Sequence, residues 1–208
     1  MAVRSDFVVL LDLGRVVVDL MLDDWSRAVC PHDPGYAVST FWHSSDKRAG
    51  DIGQQSPDVL LQRMVEDDNT SCESLAQARH YWQTMFSPVS GSEDAVRRIA
   101  QAFPVWIASD TDPLHFESIK NRWRFLADVE QSFVSFELGA TKAETGFFEA
   151  IVESATVSPD RLILIDDRAV NCERAVSLGL QAIEFQDWSQ ASDSLTLITS
   201  VPGRERPT

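Results

Sequence analysis

Three short apolar runs each end in residues that can do acid, nucleophilic or metal chemistry. Val8-Val9-Leu10-Leu11 leads into Asp12-Leu13-Gly14, Val105-Trp106-Ile107-Ala108 into Ser109-Asp110-Thr111, and Leu162-Ile163-Leu164-Ile165 into Asp166-Asp167. Each run has strand length and lacks the polar–apolar alternation of a half-exposed strand. Each therefore reads as a strand buried on both faces of a parallel sheet. In open parallel sheets, ligands bind in the crevice at the carboxyl ends of the strands. One Asp after a strand is ordinary turn chemistry, but three such ends deliver several carboxylates and a hydroxyl to one crevice. Carboxylates that close together repel one another, so the cluster itself argues for a cation.

The elements that must position these residues are also legible. Residues 182–185 make a further buried strand, and 132–136 a short one. A helix starts at Ser92 with Glu93 and Asp94 in its first turn and runs to Phe103. Pro113 opens another through Phe116, Ile119 and Trp123, a third spans about 143–152, and a fourth runs from about Val170 to Leu178, where Gly179 stops it. Strand and helix in alternation predict an α/β fold with a doubly wound, Rossmann-like parallel sheet. Residues from about 20 to 90 interrupt it with helical spacing and no comparable strand. Val59, Leu60, Met64 and Val65 form one apolar face there, and Ala76, Tyr81, Trp82 and Phe86 suggest another. The expected organisation is a core of residues 1–19 and 91–208 with a small helical cap, residues 20–90, inserted in it. The polar tail 202–208 is expected to fray.

Bulk properties narrow the partners. The 208 residues are 44% hydrophobic and 24% charged, which suits one packed domain or a core with an insert. A formal net charge of −14 repels nucleic-acid phosphates and anionic membranes, so neither is expected as a partner. Cys30, Cys72 and Cys172 are widely spaced and form no CxxC pair, which suggests neither a zinc site nor a disulfide framework. The first apolar run is too short for a secretory leader, and no run reaches the length of a membrane span. A cytoplasmic protein is the expectation. His32, His80 and His115 show no ligand spacing and read as structural or exposed.

Four motifs in this order carry a resemblance to a known family. They are Asp12-Leu13-Gly14-Arg15-Val16-Val17-Val18-Asp19; Ser109-Asp110-Thr111; Lys142 within Leu138-Gly139-Ala140-Thr141-Lys142; and Asp166-Asp167 with Asn171. Together they resemble the haloacid dehalogenase-like (HAD) hydrolase superfamily, in the capped phosphatase group whose helical cap follows the first motif. The resemblance spans nearly the whole chain, from about Phe7 to Phe185. It implies a Mg²⁺-dependent phosphatase for a small phosphorylated metabolite, with Asp12 attacking phosphorus to form an aspartyl phosphate that water then cleaves. Asp12, the Gly14 carbonyl and Asp167 would hold the Mg²⁺, with Asp166 as a further ligand or a holder behind the ligands, and Asn171 hydrogen-bonding a metal water. Ser109, Lys142 and the N–H groups of Leu13 and Asp110 would bind phosphate.

Three departures from that pattern matter. Family phosphatases often carry a general-acid Asp two positions after the nucleophile, where this chain has Gly14; losing such an acid costs on the order of 10²–10⁴ in rate. Asp19 and His43 are candidate replacements. Ala143 stands where the lysine motif usually continues with Pro. Asp110 stands where Asn is frequent, and its side chain is expected to point away from the phosphate. The gap at Gly14 leaves two alternatives open: a catalytically weak or non-enzymatic binding protein, and a metal-independent 2-haloacid dehalogenase, although dehalogenases carry an aromatic residue at the Gly14 position. In the cap, Phe41, His43 and Arg48 are the candidate substrate-reading residues, with Phe41 or Trp42 as a pocket wall.

Overall fold

The computed structural model describes residues 6–200. Five parallel strands form the central sheet: β1 (Val8–Leu11), β4 (Val105–Ser109), β5 (Gln131–Val134), β6 (Leu162–Asp166) and β7 (Gln181–Glu184), in the order β5-β4-β1-β6-β7. All pairings are parallel, with Leu11 opposite Ile107 on one side and Ile165 on the other. The pleat splits β1 between two cores. Val9 and Leu11 join Ile107, Ile163 and Ile165 on one face, while Val8 and Leu10 join Trp106, Ala108, Leu162 and Leu164 on the other. Helices cover both faces, so the central strands β4, β1 and β6 are buried along their whole length, which explains their continuous apolar runs, whereas the edge strands β5 and β7 carry Gln131, Ser132, Gln181 and Glu184.

On the first face lie α6 (Ser92–Ala102), α7 (Pro113–Arg122) and α11 (Trp188–Ser200), contributing Ala95, Val96, Ile99, Phe116, Ile119, Trp188, Ala191 and Leu195. On the second lie α9 (Thr145–Ser154) and α10 (Ala169–Ser177), contributing Phe147, Phe148, Ile151 and Ala175. From β1 the chain crosses to β4 and β5, then returns past β1 to β6 and β7. The connections thus reverse between β1 and β6, and a topological switch point opens at their carboxyl ends.

The interval after β1 departs from the sequence expectation. Two three-residue strands, β2 (Val18–Leu20) and β3 (Phe86–Pro88), pair antiparallel and bracket the helical stretch. Three residues carry too little alternation to stand out as a strand. Between them run α1 (Leu22–Val29), α2 (Pro34–Ala37), α3 (Ser45–Asp51), α4 (Asp58–Glu66) and α5 (Leu75–Thr84). Three of these helix starts are set by side chains: Asp33 caps α2 ahead of Pro34, Ser44 caps α3, and Ser74 caps α5. In α4 the buried residues are Leu60, Leu61 and Met64, while Val59 is exposed, so the apolar face is rotated from the expected one. In α5, Ala78 and Trp82 are buried and Ala76 is exposed.

Two further corrections concern ends. The run 132–136 leaves the sheet at Val134; Ser135 and Phe136 begin α8 (Ser135–Leu138), because the Ser135 hydroxyl bonds both the N–H and the C=O of Thr111. Helix α11 was not expected at all, its Ser- and Thr-rich sequence masking the spacing of Trp188, Ala191 and Leu195. The tail 202–208 lies outside the described residues. Gly53 joins the helical stretch to the core: it sits at φ +67°, and a Cβ there would fall 2.1 Å from the Phe136 carbonyl oxygen.

Candidate active site

Asp12 follows β1 at the switch point, where its N–H still bonds the Ile165 carbonyl at 3.0 Å. The chain then turns sharply. Leu13 O accepts from both Val17 and Val18, and Arg15 takes a left-handed φ of 60°, uncommon for a residue with a side chain. The turn presents Asp12 to the crevice. One Asp12 oxygen accepts from the Leu13 N–H at 2.7 Å and from the Lys142 ammonium at 2.9 Å; its other oxygen has no protein donor among the described residues.

Lys142 reaches the crevice from the loop between α8 and α9. Glu144 ties that loop by accepting from Thr141, and Asp110 ties it by accepting the Lys142 backbone N–H at 2.8 Å. The ammonium is 2% exposed and bridges Asp12 to Asp166, 2.5 Å away. Asp166 is fully committed: its second oxygen accepts from the Arg168 N–H and from Asn171 Nδ2, both at 2.9 Å. Asp167 is freer, with Arg15 at 3.7 Å. Carboxylate oxygens of Asp12, Asp166 and Asp167 lie within 4.8 Å of one another.

Burial and crowding govern the charges. Burial pushes the Asp12 carboxyl up to about 7; Lys142 opposes this, while Asp166 and Asp167 add to it. Burial also raises Asp110 and Asp167. Lys142 is held above its usual value despite burial, because Asp12, Asp166 and Asp110 surround it. Lys142, the peripheral Arg15 and Arg168 beside Asp110 are three cations against the four acids Asp12, Asp110, Asp166 and Asp167, an excess of negative charge that a divalent cation relieves.

The Lys142 bridge yields a prediction. Lys142→Met should destabilise the metal-free protein by roughly 3 kcal/mol at alkaline pH, because Asp12 and Asp166 lose their shared counter-charge. The Asp12 carboxyl, raised by burial and deprived of the opposing Lys142 charge, binds more protons folded than unfolded. Stability should therefore fall as pH rises, and the deficit should shrink at acid pH. Thermal unfolding of both proteins in EDTA at two pH values measures this; a pH-independent deficit contradicts it.

Two adjacent chambers lie here, the first against the cluster. The first, about 330 Å³, is lined by Asp12, Gly14, Asp110, Lys142, Asp167 and Arg168 among others. The second, about 530 Å³, is lined by His43, Lys47, Arg48, Asp51 and Thr141 among others, and the two share Trp42, Asp110 and Arg168. Trp42 and His43 reach the cavity from a wide π-type turn, Val38–Trp42, in which the His43 N–H bonds Val38 O.

Comparison with solved structures places the fold. The chain is similar to a HAD family enzyme of Bacteroides thetaiotaomicron in complex with magnesium and inorganic phosphate, at 20% identity, covering 89% of this chain and 98% of that one, TM-score 0.71. It is similar to a predicted HAD-like family hydrolase from Porphyromonas gingivalis at 15% identity, covering 96% and 98%, TM-score 0.71. It is also similar to the L-2-haloacid dehalogenase of Xanthobacter autotrophicus with chloropropionic acid covalently bound, at 11% identity, covering 94% and 84%, TM-score 0.64. The fold is HAD-like. The chain matches no protein-family model.

The HAD-like fold gathers Asp12, Gly14, Asp110, Lys142, Asp167 and Asn171 around the first chamber, with Asp166 buried directly behind. Ser109 ends β4 and is 2% exposed, outside both cavity linings. Leu13 is buried, its N–H already engaged by Asp12. Asp110 departs from the expectation that its side chain points away: the residue lines both chambers, and one of its carboxylate oxygens accepts the Lys142 N–H. Phe41 is a second correction. It is 1% exposed and packs edge-on against Tyr36 in the core, so Trp42 makes the wall instead. His43 and Arg48 line the second chamber; Asp19 is exposed and lines neither. Sequence reasoning passed over Arg15, Asp51 and Arg168. Arg168 directly follows Asp166-Asp167, and that adjacency was the available signal.

Among the described residues, no helix is long and apolar enough to cross a membrane. Cys30, Cys72 and Cys172 are all free and buried.

Proposed function

We propose that this chain is a Mg²⁺-dependent phosphatase for a small phosphorylated metabolite, working through an aspartyl phosphate on Asp12. The observation that carries the reading is the Lys142 ammonium bridging Asp12 and Asp166, with Asp167 completing a three-carboxylate cluster. Asp12 and Asp167 would hold the ion together with the Gly14 carbonyl, while Asp166 fixes Lys142 and Asn171. Mg²⁺ would supply neutralisation of the phosphoryl charge, which is what phosphoryl transfer chiefly requires. The phosphate complex of the Bacteroides thetaiotaomicron neighbour supports the same assignment.

The chain's own groups supply the rest. Lys142 holds one Asp12 oxygen by hydrogen bond, which leaves the other as the attacking atom. The same ammonium and the backbone N–H at Asp110 face the phosphoryl oxygens, with the buried Ser109 hydroxyl behind them at the end of β4. The helical stretch 20–90 acts as the cap over a core of residues 1–19 and 91–208. Its Trp42, His43 and Arg48 meet the part of the substrate beyond the phosphate. A second reading is favoured by the dehalogenase neighbour: the same aspartate attacking carbon, with halide leaving. The third carboxylate, Asp167, weighs against it, because a metal-free site gains nothing from crowding acids.

A panel of sugar phosphates and nucleotides, assayed for inorganic phosphate with Mg²⁺ and with EDTA, tests the proposal. Mg²⁺-dependent release that EDTA abolishes is expected. Chloride release from 2-chloropropionate with no phosphate release from the panel would replace this reading with the dehalogenase one.

A further inference from the structure

Four carboxylic acids besides Asp12 line the two chambers or sit behind them, and each has a distinguishable state. Asp166 is saturated by Lys142, Arg168 and Asn171. Asp167 belongs to the metal cluster and faces Arg15. Asp51 is gripped at both oxygens by Lys47, 2.6 Å from each. Asp110 remains. One of its oxygens accepts the Lys142 N–H, and the other has no donor among the described residues. It is also the single acid shared by both chambers.

That position answers the gap at Gly14. In an in-line displacement the leaving oxygen lies opposite the attacking one. Asp12 lines the first chamber and not the second, so a leaving alcohol directed away from Asp12 into the second would pass the residues common to both. We infer that Asp110 is the general acid–base residue of this site, taking the role for which Gly14 has no side chain. The inference rests on the phosphatase reading. In the first step Asp12 forms a bond to phosphorus, the bond from phosphorus to the leaving oxygen breaks, and the Asp110 carboxyl gives its proton to that oxygen. In the second, the Asp110 carboxylate takes a proton from water as the water oxygen attacks phosphorus. Asp12 is released, and inorganic phosphate forms.

The surroundings keep Asp110 suited to this. Burial, reinforced by Asp166, raises its carboxyl, while Lys142 and Arg168 oppose. Across the second chamber it faces Lys47 and Asp51, already paired, with Arg48 and His43. An ionised Asp110 would repel a bound phosphate, whereas a protonated one donates to it. Neither replacement weighed from sequence occupies this place: Asp19 is exposed outside the cavity and His43 lines only the second chamber.

Asp110→Asn keeps the acceptor for the Lys142 N–H and removes only the transferable proton. For glucose 6-phosphate and 2-glycerol phosphate, kcat/KM should fall by about 10²–10⁴, and for 4-nitrophenyl phosphate, whose phenolate leaves unprotonated, by less than about fivefold. Equal losses on both substrate types, or no loss on either, would overturn the assignment while leaving the phosphatase reading intact. A wild type that releases phosphate from none of the three would overturn both. Should the variant unfold, a series of aryl phosphates with the wild type alone decides. A kcat/KM nearly independent of leaving-group basicity supports the acid, and a steep decline with basicity overturns it.

Discussion

Asp12→Asn is expected to abolish Mg²⁺-dependent phosphate release, with kcat falling on the order of 10⁶-fold, as removal of a nucleophile does elsewhere. The amide keeps the volume and an oxygen for the Lys142 ammonium, so the fold should survive. What it loses is the anionic oxygen proposed to attack. In the wild type, Lys142 and the Leu13 N–H hold one Asp12 oxygen and leave the other toward the first chamber. The substitution also removes a negative charge from a cluster in which burial and two neighbouring acids already oppose ionisation. The metal-free variant should therefore be as stable as the wild type or more stable. Phosphate release and thermal unfolding, measured on the same preparations, check both halves. A stable Asp12→Asn with wild-type turnover would contradict the mechanism.

Asp112→Ala should give the largest loss of stability, about 3 kcal/mol or more, lowering the unfolding midpoint by roughly 6–12 °C. Asp112 is 1% exposed and caps α7 by accepting the His115 N–H at 3.0 Å. Its other oxygen accepts from Trp82 Nε1 and faces His115 Nδ1, each at 3.0 Å. The alanine strands all these groups in the interior and removes the cap. Burial alone would raise the Asp112 carboxyl; the His115 charge and hydrogen bonds hold it well below the usual carboxylate range. Its stabilisation is thus complete above that range and fades as pH falls through the lower folded value. The site should feel the change as well. His115 stacks on Trp82 at 4.4 Å, Trp82 packs against Trp42, and Trp42 walls both chambers. Calorimetry at neutral pH is the direct check, and a midpoint within 2 °C or so of the wild type would contradict it.

The parallel sheet was legible because strands buried on both faces must be apolar throughout, and the runs ending in Asp12, Ser109 and Asp166 are. The acids were legible because they stand at the ends of those runs. What escaped the sequence depends on contacts far apart in the chain. Asp112 gives no local sign of Trp82, thirty positions away. The β2–β3 pair joins residues 18–20 to 86–88 through strands too short to show a period. Phe41 and Trp42 are adjacent aromatics with equal claim to the pocket, and only the π-type turn decides that Phe41 faces inward and Trp42 the cavity. Asp110 was read as pointing away because a carboxylate beside phosphate is unfavourable. That holds for the ionised form, which burial disfavours.

The most direct test of the central claim is a rapid-quench experiment. The protein, in excess with Mg²⁺, is mixed with 4-nitrophenyl phosphate carrying labelled phosphorus, quenched in acid, digested and mapped. The predicted result is transient label on the peptide containing Asp12, appearing with nitrophenol, decaying into inorganic phosphate and absent in Asp12→Asn. Label passing straight to inorganic phosphate with none on the chain, or mapping to a residue other than Asp12, would contradict it.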